Sequence, residues 1–127
     1  MSRGLIFKPS ENGLRKTLRE YQELALRYLW DVGEEGAGSG AVWKAVNREL
    51  QKNGDSISRA SIIFSLNNLV DQGVLDNHEE SGKGGMQKIY KPAMYEDDYK
   101  IYVVKTVMES ALRDFPEEAG EVIKSYF

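Results

Sequence analysis

Apolar residues recur every three or four positions in successive segments of the first half of the chain, which is the spacing of a helix with one buried face. The first segment predicts a helix over residues 18–32, opened by a capping box of Thr17 with Glu20. The second segment predicts a helix that has Ser39 as its N-cap and ends at about Lys52. The connection between these helices and the turn after the second are short and rich in glycine and polar residues.

A third helical segment and a hairpin follow. The stretch "SRASIIFSLNNLVDQGVL" predicts a helix with Ser58 as its N-cap that ends at Gly73. The runs "VLDNHEE" and "MQKIYKPA" are short and extended, and "SGKGG" between them suits a hairpin tip. Helical spacing returns over residues 96–113, and Pro116 is placed to start a last helix.

This order of elements is that of a winged helix-turn-helix, in which the third helix enters the major groove and the hairpin lies beside the backbone. The predicted fold class is mainly α with a small antiparallel β wing, followed by C-terminal dimerisation helices. We expect an N-terminal arm over residues 1–16, a winged-helix domain over 17–94 and a helical dimerisation region over 95–127. Winged helices also dock proteins, so the fold leaves DNA binding and protein docking both open.

Composition excludes several classes of function. A chain of 127 residues has the size of a single domain, and it contains no apolar run of membrane-spanning length and no secretory signal, so we expect a soluble, cytoplasmic protein. With no cysteine and only His78, it has no thiolate or histidine-cluster metal site and no thiol nucleophile. Its acidic pairs occupy loop or helix-start positions, where carboxylates favour the helix dipole. We therefore expect no enzymatic activity, metal or cofactor.

The third helix has a polar side that could read DNA. Its apolar arc consists of Ile62, Leu66, Leu69 and Val70, with Ile63 at the margin. The side opposite this arc presents Ala60, Ser61, Phe64, Asn67, Asn68 and Asp71. Asparagine pairs with adenine through two hydrogen bonds, and alanine or an aromatic edge packs on a thymine methyl, so this side suits A·T-containing DNA. Phe64 should be exposed unless DNA, the wing or a partner protein covers it.

Phosphate contacts would have to come from basic residues around that helix, because its central turns carry almost no positive charge. The candidates are Arg59 at its start and Lys83, Lys88 and Lys91 around the wing, helped by Lys44 and Arg48. An ordinary solvated surface would explain each of these lysines equally well. Asp71, Asp76, Glu79 and Glu80 oppose such a patch. The expected binding is modest and sensitive to salt unless two copies act together.

Three motifs resemble those of the penicillinase-repressor family of winged-helix regulators (BlaI/MecI type). They are "LREYQELALRYLW", "SRASIIFSLNNLVDQGVL" and "YKPAMYEDDY", and the resemblance covers about residues 18–127. It implies a repressor whose third helix reads DNA and whose two C-terminal helices form a homodimer. Four positions that are basic in the family are Ala60, Asn68, Asp71 and Gln72 here, so the family's affinity and operator sequence do not carry over with the fold.

The C-terminal segment predicts a dimer on independent grounds, since an apolar stripe that extends past a complete winged helix needs a surface to cover it. The stripe is formed by Ile101, Val104, Met108 and Leu112, and Val122 and Ile123 add to it from the last helix. The alternative is that this segment folds back on the chain's own first helix. Dimerisation would place two recognition helices roughly 34 Å apart, one turn of DNA. The predicted partners are double-stranded DNA and a second copy, and the predicted function is a homodimeric repressor of a palindromic operator.

Overall fold

A computed structural model of the chain describes residues 4–82 and 84–127. Over these residues, five α-helices surround and follow a small sheet of three strands. In chain order the elements are α1 (Glu20–Val32), β1 (Ala37–Gly38), α2 (Ser39–Leu50), α3 (Arg59–Asp71), β2 (Leu75–Gly82), β3 (Gly85–Pro92), α4 (Glu96–Asp114) and α5 (Pro116–Tyr126). This is the predicted winged helix followed by two C-terminal helices, so the predicted class of a mainly α fold with a small antiparallel β wing is confirmed.

The wing is the antiparallel pair of β2 and β3, in register from Leu75 opposite Pro92 to Gly82 opposite Gly85. The two residues of β1 extend the sheet on the other edge of β3, which gives the strand order β1-β3-β2. The glycine-rich composition of "EEGAGSG" predicted a loop here, and two residues are too few to show the alternation of a strand. Gly36 permits this close approach: its φ is 71°, and a Cβ atom there would lie 2.6 Å from the Tyr90 carbonyl oxygen.

The core is shared by the first three helices, the base of the wing and two outlying segments. The predicted buried residues Ile62, Leu66 and Leu69 of α3 are all buried, whereas Val70 is only partly so. Ser65 is also buried, at 2% exposure, which the hydrophobic pattern does not indicate. The outlying contributions are Leu14 and Leu18 before α1 and Tyr99 from the first turn of α4.

Two predicted helix caps are wrong. Helix α1 begins at Glu20 rather than at Leu18, and its first turn is closed by the Arg19 amide, which donates to Gln22 Oε1 at 2.8 Å. Thr17 does not cap it, because its hydroxyl lies 2.7 Å from the hydroxyl of the buried Tyr99, which needs a polar partner. Ser39 is the first residue of α2 and not its cap, and Arg59 Nη2 donates to its hydroxyl at 3.4 Å.

Tyr99 gives the fold a predictable response to alkali. Burial raises the pKa of Tyr99 to about 12, although its hydrogen bond with Thr17 lowers the pKa in part. Because this folded-state pKa lies above the value of about 10 in an unfolded chain, the unfolded state loses its proton first as the pH rises. The stabilisation is fully present below pH 10 and is lost as the pH rises through about 12.

We therefore expect the free energy of unfolding to fall by about 2 to 3 kcal/mol between pH 10 and pH 12, a difference of two pKa units. Urea unfolding followed by circular dichroism at several pH values would measure it. The Tyr99→Phe variant is the matched control, since it keeps the ring and removes the titrating hydroxyl. An equally steep fall in that variant would show that Tyr99 is not the cause.

Candidate nucleic-acid interface

The connection between α2 and α3 is fixed by two side chains of α2. Asn47, which is buried, accepts a hydrogen bond from the Ile57 amide at 2.9 Å and donates to the carbonyls of Ile57 at 3.1 Å and Trp43 at 3.2 Å. The Trp43 indole also donates to the Ile57 carbonyl, at 2.8 Å. These bonds hold Ile57 two residues before the start of α3, and they therefore set where the candidate recognition helix begins.

The first turn of α3 is closed as predicted. The Ser58 hydroxyl accepts a hydrogen bond from the Ser61 amide at 3.1 Å and donates to the Ser61 hydroxyl at 2.9 Å. Ser61, a predicted base reader, is therefore engaged within the cap. Arg59 and Ala60 are exposed, so the start of α3 is open to a ligand.

Phe64 lies on the open side of α3 and is 66% exposed. Of the three predicted ways to cover it, the wing does not do so. Phe64 instead borders a depression between α3 and the segment before α1, together with Ile6, Lys8 and Asn68. DNA and a partner protein remain as candidates to cover this ring.

The two asparagines of α3 have different surroundings. The hydroxyl of the buried Tyr90 donates to Asn67 Oδ1 at 2.7 Å, so Asn67 ties the wing to α3. Reading adenine through two hydrogen bonds requires both the oxygen and the amino group of the side chain. The bond from Tyr90 already occupies one acceptor position of Asn67 Oδ1 and ties the side chain to the wing, so a bidentate pairing with adenine would compete with it. Asn68 faces the opposite flank, beside Phe64, and is the better candidate reader.

The lysines of the wing also differ in position, because Lys88 and Lys91 lie on opposite faces of β3. Successive side chains of a strand alternate between its faces, so Lys88 shares the face of Tyr90 that looks toward α3, and Lys91 lies on the other face. There Lys91 Nζ lies 3.9 Å from Glu34 Oε2. Lys88 lies on the groove between α3 and β3, and Glu79 is its partner across the strand pair. Lys83, the remaining lysine of the predicted set, lies outside the described residues.

Basic residues on the helices flank α3 on one side. Arg59 lies at the start of α3 and contacts Ser39 through its guanidinium group. Lys44 and Arg48 of α2 are exposed, and neither forms an ion pair with any residue that the structure describes. The structure thus brings Arg59 and Lys88 to the groove beside the wing, and it leaves Lys91 away from it.

The C-terminal helices leave the winged helix and pack on each other. Only the start of α4 joins the core: Tyr99 is buried, and the Tyr102 hydroxyl donates to Gln72 Oε1 at 3.3 Å. The predicted dimer residues Ile101, Val104, Met108, Leu112 and Val122 are all exposed, and Ile123 is half-buried. The alternative in which this segment folds back on α1 is therefore wrong for that stripe. An apolar groove between α4 and α5 adds Val107, Phe115 and Ala119 to this surface.

Neither a metal-ligating cluster nor a membrane-spanning helix is found in the described part of the chain. Across residues 4–82 and 84–127, no group of three or more histidine, cysteine, aspartate or glutamate side chains is arranged to hold a metal ion. Within the same residues, no helix combines the length and the apolar character needed to cross a lipid bilayer.

Comparison with known proteins adds little to this geometry. No family model matches the chain, and no curated protein matches it. Among solved structures, a PadR-family transcriptional regulator from Eggerthella lenta is similar, with 20% sequence identity over 82% of this chain and 84% of that chain and a TM-score of 0.44. A similarity this weak supports no conclusion about function. The winged-helix assignment rests on the element order and sheet register, and no comparison supports the penicillinase-repressor family in particular.

Proposed function

We propose that the protein is a sequence-specific DNA-binding transcriptional regulator, a homodimer that represses by occupying a palindromic operator. The observation that carries the proposal is the open side of α3. That helix is anchored through Ile62, Leu66 and Leu69, while Ala60 and Phe64 on its other side are exposed. A rigid helix with one free polar side, flanked by a wing, has the geometry of a major-groove reader.

The distribution of charge around α3 favours DNA binding by a dimer over binding by a single protomer. The central turns on the free side of α3 carry no basic residue, that side includes Asp71, and acidic residues lie beside the wing lysines. One protomer would therefore hold DNA weakly. Two copies joined through α4 and α5 would bind two half-sites at once, and the second contact would be effectively intramolecular. The same C-terminal pairing is what the resemblance to penicillinase repressors implies, and membership of that family is part of this proposal.

Selection of bound oligonucleotides from a random duplex pool tests the proposal. The selected sequences should converge on a palindrome with A·T pairs at the positions that α3 reads, and binding should weaken as salt rises. A pool that stays random after repeated selection would contradict sequence-specific binding.

The Asn68→Ala variant is expected to lose discrimination rather than general affinity. A bidentate contact to adenine contributes about 1 to 3 kcal/mol, so the preference for the selected site should fall by roughly 5- to 150-fold. Binding to a random duplex should change little, because that binding depends on phosphate contacts. Competition binding followed by fluorescence anisotropy would measure both. Asn53→Ala, in the exposed turn after α2, is the matched control and should leave the preference unchanged.

A second candidate function is a protein-docking module, which the exposure of the apolar Phe64 ring favours. The Phe64→Ala variant distinguishes the two. In a docking module it would abolish binding to one stoichiometric protein partner, and the unmodified protein would not be retained on DNA at low salt. In a DNA reader it would reduce affinity for the selected duplex.

A further inference from the structure

The segment before α1 is held in a fixed conformation against the winged helix. The Lys8 amide donates to the Lys16 carbonyl at 2.7 Å, and the Lys16 ammonium donates to the carbonyls of Pro9 at 2.8 Å and Glu11 at 2.6 Å. Leu14 anchors the segment in the core at 7% exposure. A surface fixed in this way loses little conformational entropy when a ligand binds.

This segment lies on the flank of α3 that faces away from the wing. Ile6, Lys8 and Arg19 line one depression together with Phe64 and Asn68 of α3. The wing residues Lys88 and Tyr90 border the opposite flank of the same helix. The open side of α3 is therefore bounded by the wing on one flank and by the segment before α1 on the other.

The two flanks differ in charge. Residues 4–19 include four basic side chains and one acidic side chain, whereas acidic residues face the wing lysines. Arg15 is neutralised by Glu20 and Glu23, at 3.1 and 3.4 Å. Lys8 and Arg19 are exposed, and across the residues of known placement neither has an ion-pair partner. Their charge is available to an anionic ligand.

We propose that the segment before α1 is a second contact with the DNA backbone, in which Lys8 and Arg19 bind phosphates on the side of α3 opposite the wing. This inference rests on the proposed function. A helix in the major groove lies between two phosphate strands, so contacts on both of its flanks fix its orientation. The segment would supply part of the electrostatic attraction that α3 lacks, with Lys16 as a positioning residue that holds Lys8 in place.

The test is the salt dependence of binding to a duplex of random sequence, about 30 base pairs long, which reports phosphate contacts alone. The Lys8→Gln/Arg19→Gln double variant should reduce the slope of log K against log salt by about 1.8 per bound protomer, since each phosphate contact contributes about 0.9. The Lys52→Gln/Lys124→Gln variant removes the same charge from the turn after α2 and from α5, and it should keep the slope of the unmodified protein. The Lys8→Arg/Arg19→Lys variant keeps the charge at both positions and should also keep the slope.

The outcomes separate this inference from the proposed function. If the unmodified protein binds the duplex and the Lys8→Gln/Arg19→Gln variant has the same slope, the proposed backbone contact does not exist. The proposal that α3 binds DNA would still stand. An equal reduction in the Lys52→Gln/Lys124→Gln variant would also overturn the contact, because general charge would then explain it. If the unmodified protein is not retained on the duplex at low salt, the proposed function fails and the contact fails with it.

Discussion

Replacing Val104 by glutamate is expected to convert the protein from a dimer to a monomer. Val104 lies on the stripe of α4 that we propose as the homodimer interface, and it is 57% exposed in the single chain. The monomer should therefore tolerate the change, since the carboxylate faces water. In the dimer, both copies would bury an unpaired charge, at a cost of several kcal/mol for each ion. We expect the dimer dissociation constant to rise at least about 100-fold.

Sedimentation velocity over a range of protein concentrations would measure this dissociation constant. Ser110→Glu is the matched control: it adds the same charge to the same helix, and its helical position is opposite to that of the stripe. It should leave the dimer intact. The Val104→Glu variant should also lose affinity for a palindromic duplex, because each protomer would then bind one half-site by itself. A Val104→Glu protein that stays dimeric would place the interface elsewhere.

The helices, the wing and the buried face of α3 could be predicted because each is encoded in a local repeat. Apolar spacing of three and four residues specifies which side of α3 faces the core, and Ile62, Leu66 and Leu69 lie where it places them. The turn at Gly73 and the glycines of the hairpin tip are also local signals. In the same way, the exposed stripe on α4 follows from its sequence period alone.

What the sequence did not reveal depends on contacts between distant residues. The hydrogen bond from Tyr90 to Asn67 joins residues 23 positions apart and depends on the register of β3 against α3. It changes the interpretation of the candidate site. Two asparagines that are alike in sequence differ in the structure: Asn67 bonds to the wing, and the Asn68 side chain forms no hydrogen bond with any residue that the structure describes. Thr17 matched a capping box but bonds to Tyr99, 82 positions away. Nothing in the local sequence distinguishes these alternatives.

The segment before α1 illustrates the same limit. Its two buried leucines, Leu14 and Leu18, are too few to produce a periodic signal over the segment, so we expected an arm where the structure has an anchored segment. Its place beside Phe64 depends on how α1 packs against α3. The charge of the segment was visible in the sequence, but its position relative to the candidate recognition helix was not.

Replacing Asn47 by alanine is expected to destabilise the winged helix by about 3 to 4 kcal/mol. The change removes the side chain that satisfies the Ile57 amide and binds the carbonyls of Ile57 and Trp43, in a position that is 9% exposed. A buried amide that loses its partner costs about 1 to 3 kcal/mol, and the vacated volume adds a cavity term. The Ile57 carbonyl keeps its hydrogen bond from the Trp43 indole. The destabilisation is therefore smaller than if every hydrogen bond at this turn were lost.

Chemical unfolding would measure this loss, with Asn53→Ala as the control in the exposed turn that follows α2. That control should change the free energy of unfolding by less than about 0.5 kcal/mol. Asn47 holds Ile57, which lies just before α3, in place. The Asn47→Ala variant should therefore also bind the selected duplex more weakly at temperatures where it remains folded. A variant that loses stability but keeps full affinity and discrimination would show that α3 is positioned by its core contacts alone. In that case Asn47 would serve the fold and not the orientation of the reading helix.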